Sequence, residues 1–326
     1  MTTEARTQPV DAVHVDTVTA IRDRIGRIGV WTMALGSRPA AIEREAVATI
    51  ENLGFGALWF GEAQNKEAFA HAAILLAASR RIVVASGIAN IWARDAVTMA
   101  LGADTLAEAY PGRFLLGIGV SHGPVVGARG HTYDRPFATM QGYLDAMDAT
   151  VGQAPAPVEP VQRVLAALRP KMLGLARDRA AGAHPYFVPP AHTAKARALL
   201  GNAPLLAPEQ AVVLETDPAR ARAVARRFVV PYLTLPNYVN NLRDFGFGDD
   251  DFAGGGSDRL ADAIVAWGDV DAIQARVREH LDAGADHVCI QPLPTAGGDR
   301  LGLDQLAELA PALVRDLADP HTVSRP

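Results

Sequence analysis

Residues 81–124, RIVVASGIANIWARDAVTMALGADTLAEAYPGRFLLGIGVSHGP, constrain the fold more than any other stretch of this chain. Residues 82–88 are apolar and largely β-branched, as expected of a strand buried on both faces. A helix over 96–109 stops at the turn chemistry of Tyr110-Pro111-Gly112, and 114–119 forms a second buried strand. Strand, crossover helix and strand make one parallel βαβ unit. Small residues fall where both strands run out, at Ser86, Gly87, Gly117, Gly119 and Ser121, so the backbone there can approach a ligand closely.

The same alternation extends in both directions. Strands are expected at 27–31, 57–60, 164–167, 183–188, 210–214 and 287–291, with helices at 40–53, 68–78, 135–151, 170–181, 194–200 and 270–283. Residues 52–59, 180–186 and 282–288 each place glycine at a helix end just before a strand, which is αβ-loop chemistry. Eight strands at this length favour a closed (β/α)8 TIM barrel over an open doubly wound sheet. After the seventh strand, 218–268 reads as a helical insertion with breaks at Pro231 and Pro236 and a Gly-Asp-rich loop at 246–256. Residues up to about Arg24 show no periodic apolar face and read as an irregular or loosely helical lead-in. The expected division is therefore a lead-in over 1–26 and one barrel domain over 27–326.

Composition narrows the partners. A formal net charge of −5 gives no electrostatic case for nucleic acid, and no basic cluster points to an anionic membrane. Cys289 is the single cysteine, which excludes an internal disulfide and a cysteine metal cluster. The nine histidines show no metal-ligand spacing, so no catalytic metal is expected. The polar start of the chain lacks the apolar run of a signal peptide, and the apolar stretch 68–78 contains His71 and is too short to span a bilayer. A cytoplasmic protein with small-molecule partners is the expectation.

Residues 54–62, 86–94 and 117–122 carry a resemblance to the luciferase-like flavin and deazaflavin oxidoreductases, extending over most of 27–292. Ser121-His122-Gly123-Pro124, residues 182–187, and Leu235-Pro236-Asn237-Tyr238 followed by Asn240-Asn241-Leu242 resemble an actinobacterial branch that uses coenzyme F420. The resemblance implies a luciferase-like barrel and a non-prolyl cis peptide at Gly87-Ile88, forming a bulge behind a tricyclic ring. It further implies cofactor contacts from Glu62, from Gly87, Ile88, Ala89 and Asn90, and from Val120 and Ser121. Ala167, Leu168 and Arg169 match the turn whose helix-start donors hold the cofactor phosphate. Relatives pair through helices of the barrel face, so a homodimer is implied. Two departures matter: Ala63 stands where a sugar-phosphate dehydrogenase of this kind has a catalytic histidine, and His122 stands where it has a glutamate. That proton relay is not carried over.

A flavin or deazaflavin performs the hydride transfer, which leaves the protein to bind and orient it and to exclude water. His122 and Glu62 are the catalytic candidates, the first because imidazole titrates near neutrality at a strand's carboxyl end. The bland alternatives are a hydrogen-bonded loop histidine and a carboxylate capping nearby backbone. Trp92, His184 and Tyr186 are candidate substrate contacts, against which stand packing roles for each. Arg94 pairs equally well with an acidic residue at the rim. The first function is an F420-dependent oxidoreductase acting on a small organic substrate. The rivals are an FMN-dependent luciferase-like monooxygenase and a non-catalytic flavin-binding protein; a phosphate-binding barrel lyase is opposed by the absence of a strand lysine for a Schiff base.

Overall fold

The computed structural model describes residues 10–295 and 297–317; the start of the polar leader and the last nine residues of the expected domain lie outside them. Parallel strands run in chain order at Ile28–Thr32, Ala57–Phe60, Val83–Ser86, Phe114–Gly119, Gln162–Leu165 and Gly182–Ala183. Leu205–Leu206 then runs on through Ala207 and Pro208 into Glu209–Leu214, and Val288–Pro292 is the last barrel strand. Leu205–Leu206 pairs with Gly182–Ala183, while Glu209–Leu214 pairs with Val288–Pro292, which in turn pairs with Ile28–Thr32. One continuous seventh strand thus joins the two ends of the sheet, and the backbone bonds from Cys289 N to Pro208 O and from Ala207 N to Ala183 O seal the seam. The barrel is closed.

Helices Ala40–Asn52, Ala68–Ala77, Ala96–Ala109, Pro136–Asp148, Pro170–Arg179, Pro190–Leu200 and Val270–Asp282 form the outer layer. Their starts follow from local chemistry: Glu67, Asp95 and Asp269 each accept a backbone N–H of the first turn. Apolar faces of these helices bury Val47, Leu75, Met99, Leu144 and Val277 against the outside of the strands. Inward residues, among them Trp31, Trp59, Ala85, Leu115 and Cys289, fill the barrel itself. No described helix is long and apolar enough to cross a membrane.

Several expected elements change. The lead-in is an ordered helix, Val10–Ile25, in which Val18, Ile21 and Ile25 are 2%, 5% and 0% exposed and pack into the barrel interior with Trp59. Arg22 fixes it by donating to the carbonyls of Asn202, Ala203 and Pro204. The apolar spacing of three and four residues is there in the sequence, but Thr and Asp between the buried positions conceal it. The insertion is not wholly helical: after Pro218–Leu233, Pro236–Arg243, Asp249–Phe252 and Asp258–Ile264, the chain forms a strand at Val265–Gly268 alongside Glu209–Leu214. Pro231 does not end its helix, because it sits in the last turn. The loop expected at 246–256 includes the turn of helix at Asp249–Phe252. The strand expected to reach Ile88 ends at Ser86, and the chain resumes pairing at Ala89–Asn90 beside Ile118 and Gly119. The sixth strand is only Gly182–Ala183, and beyond it Phe187 takes a left-handed φ of 60° and packs with the insertion.

Candidate active site

At the carboxyl rim the Gly87–Ile88 peptide bond is cis. The Gly87 carbonyl accepts a 3.0 Å hydrogen bond from Trp31 Nε1, and the Gly87 N–H donates to Phe60 O, so strands one and two hold the peptides on either side of Gly87. A side chain at position 87 has no room: a Cβ there would lie 2.6 Å from Trp31 Nε1 and 2.9 Å from His184 Nε2. Gly87 and Ile88 remain partly exposed, as do Val120, Ser121 and His122 across the mouth. Ser121 adopts a left-handed φ of 57°, an uncommon conformation outside glycine.

Glu62 follows the second strand but faces protein. Its carboxylate accepts the N–H of Asn90 at 2.8 Å and of Ala68 at 3.1 Å, and pairs with both terminal nitrogens of Arg94. The two side chains are 3% and 6% exposed, and Arg94 also reaches Glu67. All four acceptor positions of Glu62 are thereby engaged, which leaves it positioning the loops after strands two and three. Ala89 and Asn90 are fully buried. Asn90 accepts from Trp92 N, and Trp92 donates its indole N–H to Val120 O and lies against His131. Trp92 therefore braces the rim.

His122 Nδ1 lies 3.1 Å from Asn237 Oδ1, and its ring packs on Tyr238. Burial lowers its pKa, partly offset by the Asn237 contact, so the ring is neutral at physiological pH with Nδ1–H donating. Both partners belong to the insertion, which thus closes over the mouth from the far side. On that side Tyr186, Tyr232, Tyr238 and Phe187 form one aromatic cluster, and Trp31 lies 4.9 Å from Tyr186 between ring centroids. Tyr186 donates to Gln291 Oε1 at 2.9 Å and shares a 2.7 Å bond with Tyr232.

Arg169 caps helix Pro170–Arg179 and stands 55% exposed, 3.8 Å from Asp244 of the insertion. Ala167 is buried and Leu168 holds His192 through its carbonyl. His184 sits below the rim: it is 1% exposed, stacks on Trp59 at 4.5 Å and bonds Ala207 O through Nδ1. Of the two residues expected at the sixth strand, only Tyr186 reaches the opening. A cleft of about 290 Å³ bordered by Asp104, Gln162, Arg163 and Arg179 lies at the amino-terminal ends of strands five and six, away from this rim. Among the described residues no group of three or more metal-ligating side chains converges.

Two residues not singled out in the sequence belong to the site's surroundings. Trp31 supports Gly87, and Glu209 is a carboxyl group inside the barrel, 2% exposed. The signal for Glu209 was a lone acid in the apolar run LLAPEQAVVL.

This architecture defines a parallel (β/α)8 barrel with an insertion after strand seven that packs on His122 at the carboxyl rim. A sequence profile described as luciferase-like monooxygenase matches residues 26–287, and the chain belongs to that family. A Mycobacterium tuberculosis protein, provisionally named a coenzyme F420-dependent oxidoreductase, is 30% identical over 120 residues, covering 36% of this chain and 33% of the relative. The chain thus matches about a third of that relative's length. An F420-dependent secondary alcohol dehydrogenase, solved with an F420-acetone adduct, superposes with a TM-score of 0.70 at 16% identity, covering 89% of this chain and 99% of the other. The F420-dependent tetrahydromethanopterin reductase of Methanopyrus kandleri gives 0.67 at 15% identity, covering 88% and 99%. The FMN-bound oxygenating component of 3,6-diketocamphane monooxygenase from Pseudomonas putida gives 0.66 at 13% identity, covering 90% and 98%. At these identities the structural likeness speaks for the fold.

Proposed function

We propose that the chain is an oxidoreductase that binds coenzyme F420 at the rim and moves a hydride between it and a small organic substrate. The observation that carries this reading is the rim segment at Gly87, whose carbonyl and N–H are held by Trp31 and Phe60, where a side chain has no room, and where Gly87 and Ile88, like Val120–His122, stay partly exposed. In this reading the planar ring lies with Ile88 behind it and Val120 and Ser121 along its edge. When bound, the deazaflavin supplies a ring carbon that accepts or releases hydride. The first-turn N–H groups of helix Pro170–Arg179, together with Arg169, suit a phosphate. Insertion aromatics Tyr232 and Tyr238 exclude water from the far wall. His122, neutral with Nδ1 committed to Asn237, keeps Nε2 as an acceptor at the mouth. The chain acts as a homodimer, checked by light scattering.

The FMN reading has support from the family's description and from the FMN-bound barrel. Equilibrium titration of purified protein with F420 and with FMN separates the two. F420 binding tighter by about tenfold or more supports the first; the reverse order supports the monooxygenase. Tight binding without any substrate-dependent redox change in a broad screen would leave only a cofactor-binding protein.

A further inference from the structure

The loop after strand Phe114–Gly119 leaves the barrel beside the rim segment: Gly119 pairs with Asn90, and a Cβ at Gly119 would lie 2.9 Å from Ile88 Cδ1. Two residues on, left-handed Ser121 turns the chain, and the His122 carbonyl accepts the Val126 N–H at the start of helix Gly123–Ala128. The His122 side chain takes no part in that cap and meets the insertion instead. Nδ1 lies 3.1 Å from Asn237 Oδ1, and the ring lies 5.1 Å from that of Tyr238. Nε2 has no hydrogen-bond partner among the described residues and is not sealed from solvent. Glu62, the acid nearest the rim by sequence, is fully engaged by protein donors.

Asn237 stands in the first turn of helix Pro236–Arg243, which Tyr238, Asn241 and Leu242 anchor by their burial. Its amide oxygen can only accept, so His122 Nδ1 carries the hydrogen, and in a neutral imidazole Nε2 then keeps its lone pair. Without that acceptor the hydrogen is shared between the two nitrogens, and Nε2 is a donor in part of the population. Burial lowers the His122 pKa and the Asn237 contact raises it; no Asp, Glu, Lys or Arg acts on the ring. The titratable groups packed around it are phenols, Tyr238 on the insertion and Tyr133 beside Gly123, and burial raises the pKa of both, so both are neutral. His122 is therefore an uncharged ring whose protonation pattern one amide decides.

We propose that Asn237 is the positioning residue that makes His122 the proton acceptor of the reaction, holding Nδ1–H so that the Nε2 lone pair meets the hydroxyl of an alcohol substrate. This rests on the hydride-transfer reading above. In the oxidative direction the substrate C–H bond breaks and its hydride carries two electrons to the oxidised cofactor. The O–H bond breaks as C=O forms, and its proton passes directly to Nε2. The imidazolium so formed keeps its Nδ1–H on Asn237 Oδ1, and Nε2, open to solvent, releases the proton to water once the carbonyl product has left. In reduction the imidazolium Nε2–H protonates the carbonyl oxygen as hydride reaches the carbon. Because the amide belongs to the insertion and the imidazole to the barrel, the base is complete only while the insertion is seated.

The test uses the full chain as wild type, Asn237→Asp, which keeps an acceptor, Asn237→Leu, which removes it, and His122→Phe, which keeps a ring against Tyr238. Nitrogen-15 NMR of the histidine rings, with His122 assigned by its loss in His122→Phe, should show Nδ1 protonated and Nε2 bare in wild type and Asn237→Asp, and a mixture in Asn237→Leu. F420 titration should give affinities equal within about threefold in all four proteins. With cyclohexanol and cyclohexanone as probes, Asn237→Leu and His122→Phe should lose about 10²-fold in kcat with little change in KM, while Asn237→Asp stays within several-fold of wild type. The acid limb of kcat/KM for oxidation should move to higher pH in Asn237→Asp, where a carboxylate favours the imidazolium, and to lower pH in Asn237→Leu. A protonated Nε2 in wild type overturns the positioning role, as does an Asn237→Asp enzyme no better than Asn237→Leu. Wild-type kcat in His122→Phe overturns the proton role. Absence of turnover of either probe by F420-bound wild type overturns the substrate class. Failure of F420 to bind wild type overturns the reading beneath, and the ring nitrogens still report the His122–Asn237 contact separately. If Asn237→Leu does not fold, an unmoved acid limb in Asn237→Asp overturns the proposal.

Discussion

Trp31 Nε1 donates a 3.0 Å hydrogen bond to the carbonyl oxygen of Gly87, tying the first barrel strand to the peptide that projects at the end of the third. Replacing Trp31 by Phe keeps an aromatic ring against Tyr186 while removing this donor and the outer part of the indole. The expected cost is about 1 kcal/mol of folding stability, read by denaturant titration, because a part-buried carbonyl loses its partner. F420 affinity should fall several-fold in parallel. Gly87→Ala attacks the same contact from the other side: its Cβ would press on Trp31 Nε1 and His184 Nε2 at 2.6 and 2.9 Å. Its expected cost is about 1–3 kcal/mol, and an unchanged midpoint for both variants would show that the contact carries no weight.

The ion pair between Glu62 and Arg94 is enclosed, and truncating one partner leaves a charge without compensation. Glu62→Ala should destabilise the fold by about 3–5 kcal/mol. Glu62→Gln should cost less, since the amide still offers an acceptor to Asn90 N or Ala68 N. If Glu62 instead exchanged protons with substrate, Glu62→Gln would abolish turnover while leaving the unfolding midpoint untouched. Unfolding curves and kinetics on the same two proteins decide between these outcomes.

The barrel was legible because its signals are local. Alternating apolar runs and glycine-ended helices mark strands and helices without knowledge of their partners, and the 114–119 strand and 96–109 helix fall where the residues placed them. What sequence could not supply was the identity of each side chain's partner. Glu62 and Arg94 are 32 residues apart, and only the fold turns a candidate proton carrier into one half of an enclosed pair. Val265–Gly268 looked helical because the strand that completes its pairing lies more than a helix-rich insertion away. The helix at Val10–Ile25 has a weak stripe of its own and gains its order from the barrel floor above Ile25.

Asn237 anchors the insertion to His122, and Tyr238 packs on the same ring. Asn237→Leu removes the hydrogen bond while filling similar volume. Hydrogen exchange should rise over Pro236–Arg243 with the barrel strands unaffected, because the loss is local. The His122 pKa should fall further, since the contact that partly offsets burial is gone; proton NMR of the ring resonances reads this directly. Equal exchange in both proteins would mean that Tyr238 packing alone holds the cover in place.

Buried titratable groups set how stability follows pH. Burial lowers the pKa of His71, His184, His192 and His287 to about 4, against an unfolded value of 6.5. The unfolded chain therefore binds more protons below 6.5, and stability falls as pH drops from there toward 4. The slope is up to about 1.4 kcal/mol per pH unit for each proton taken up. Glu209 works in the other sense. Its folded pKa of about 8 exceeds the unfolded 4.5, so its contribution is complete below 4.5 and is lost as pH rises through about 8. The wild-type unfolding midpoint should then peak between the acid loss and the alkaline loss. In Glu209→Gln the acid limb should be unchanged and the decline toward pH 8 should flatten, because the four histidines titrate only on the acid side. An alkaline limb of the same slope in both proteins would assign that decline to some group other than Glu209.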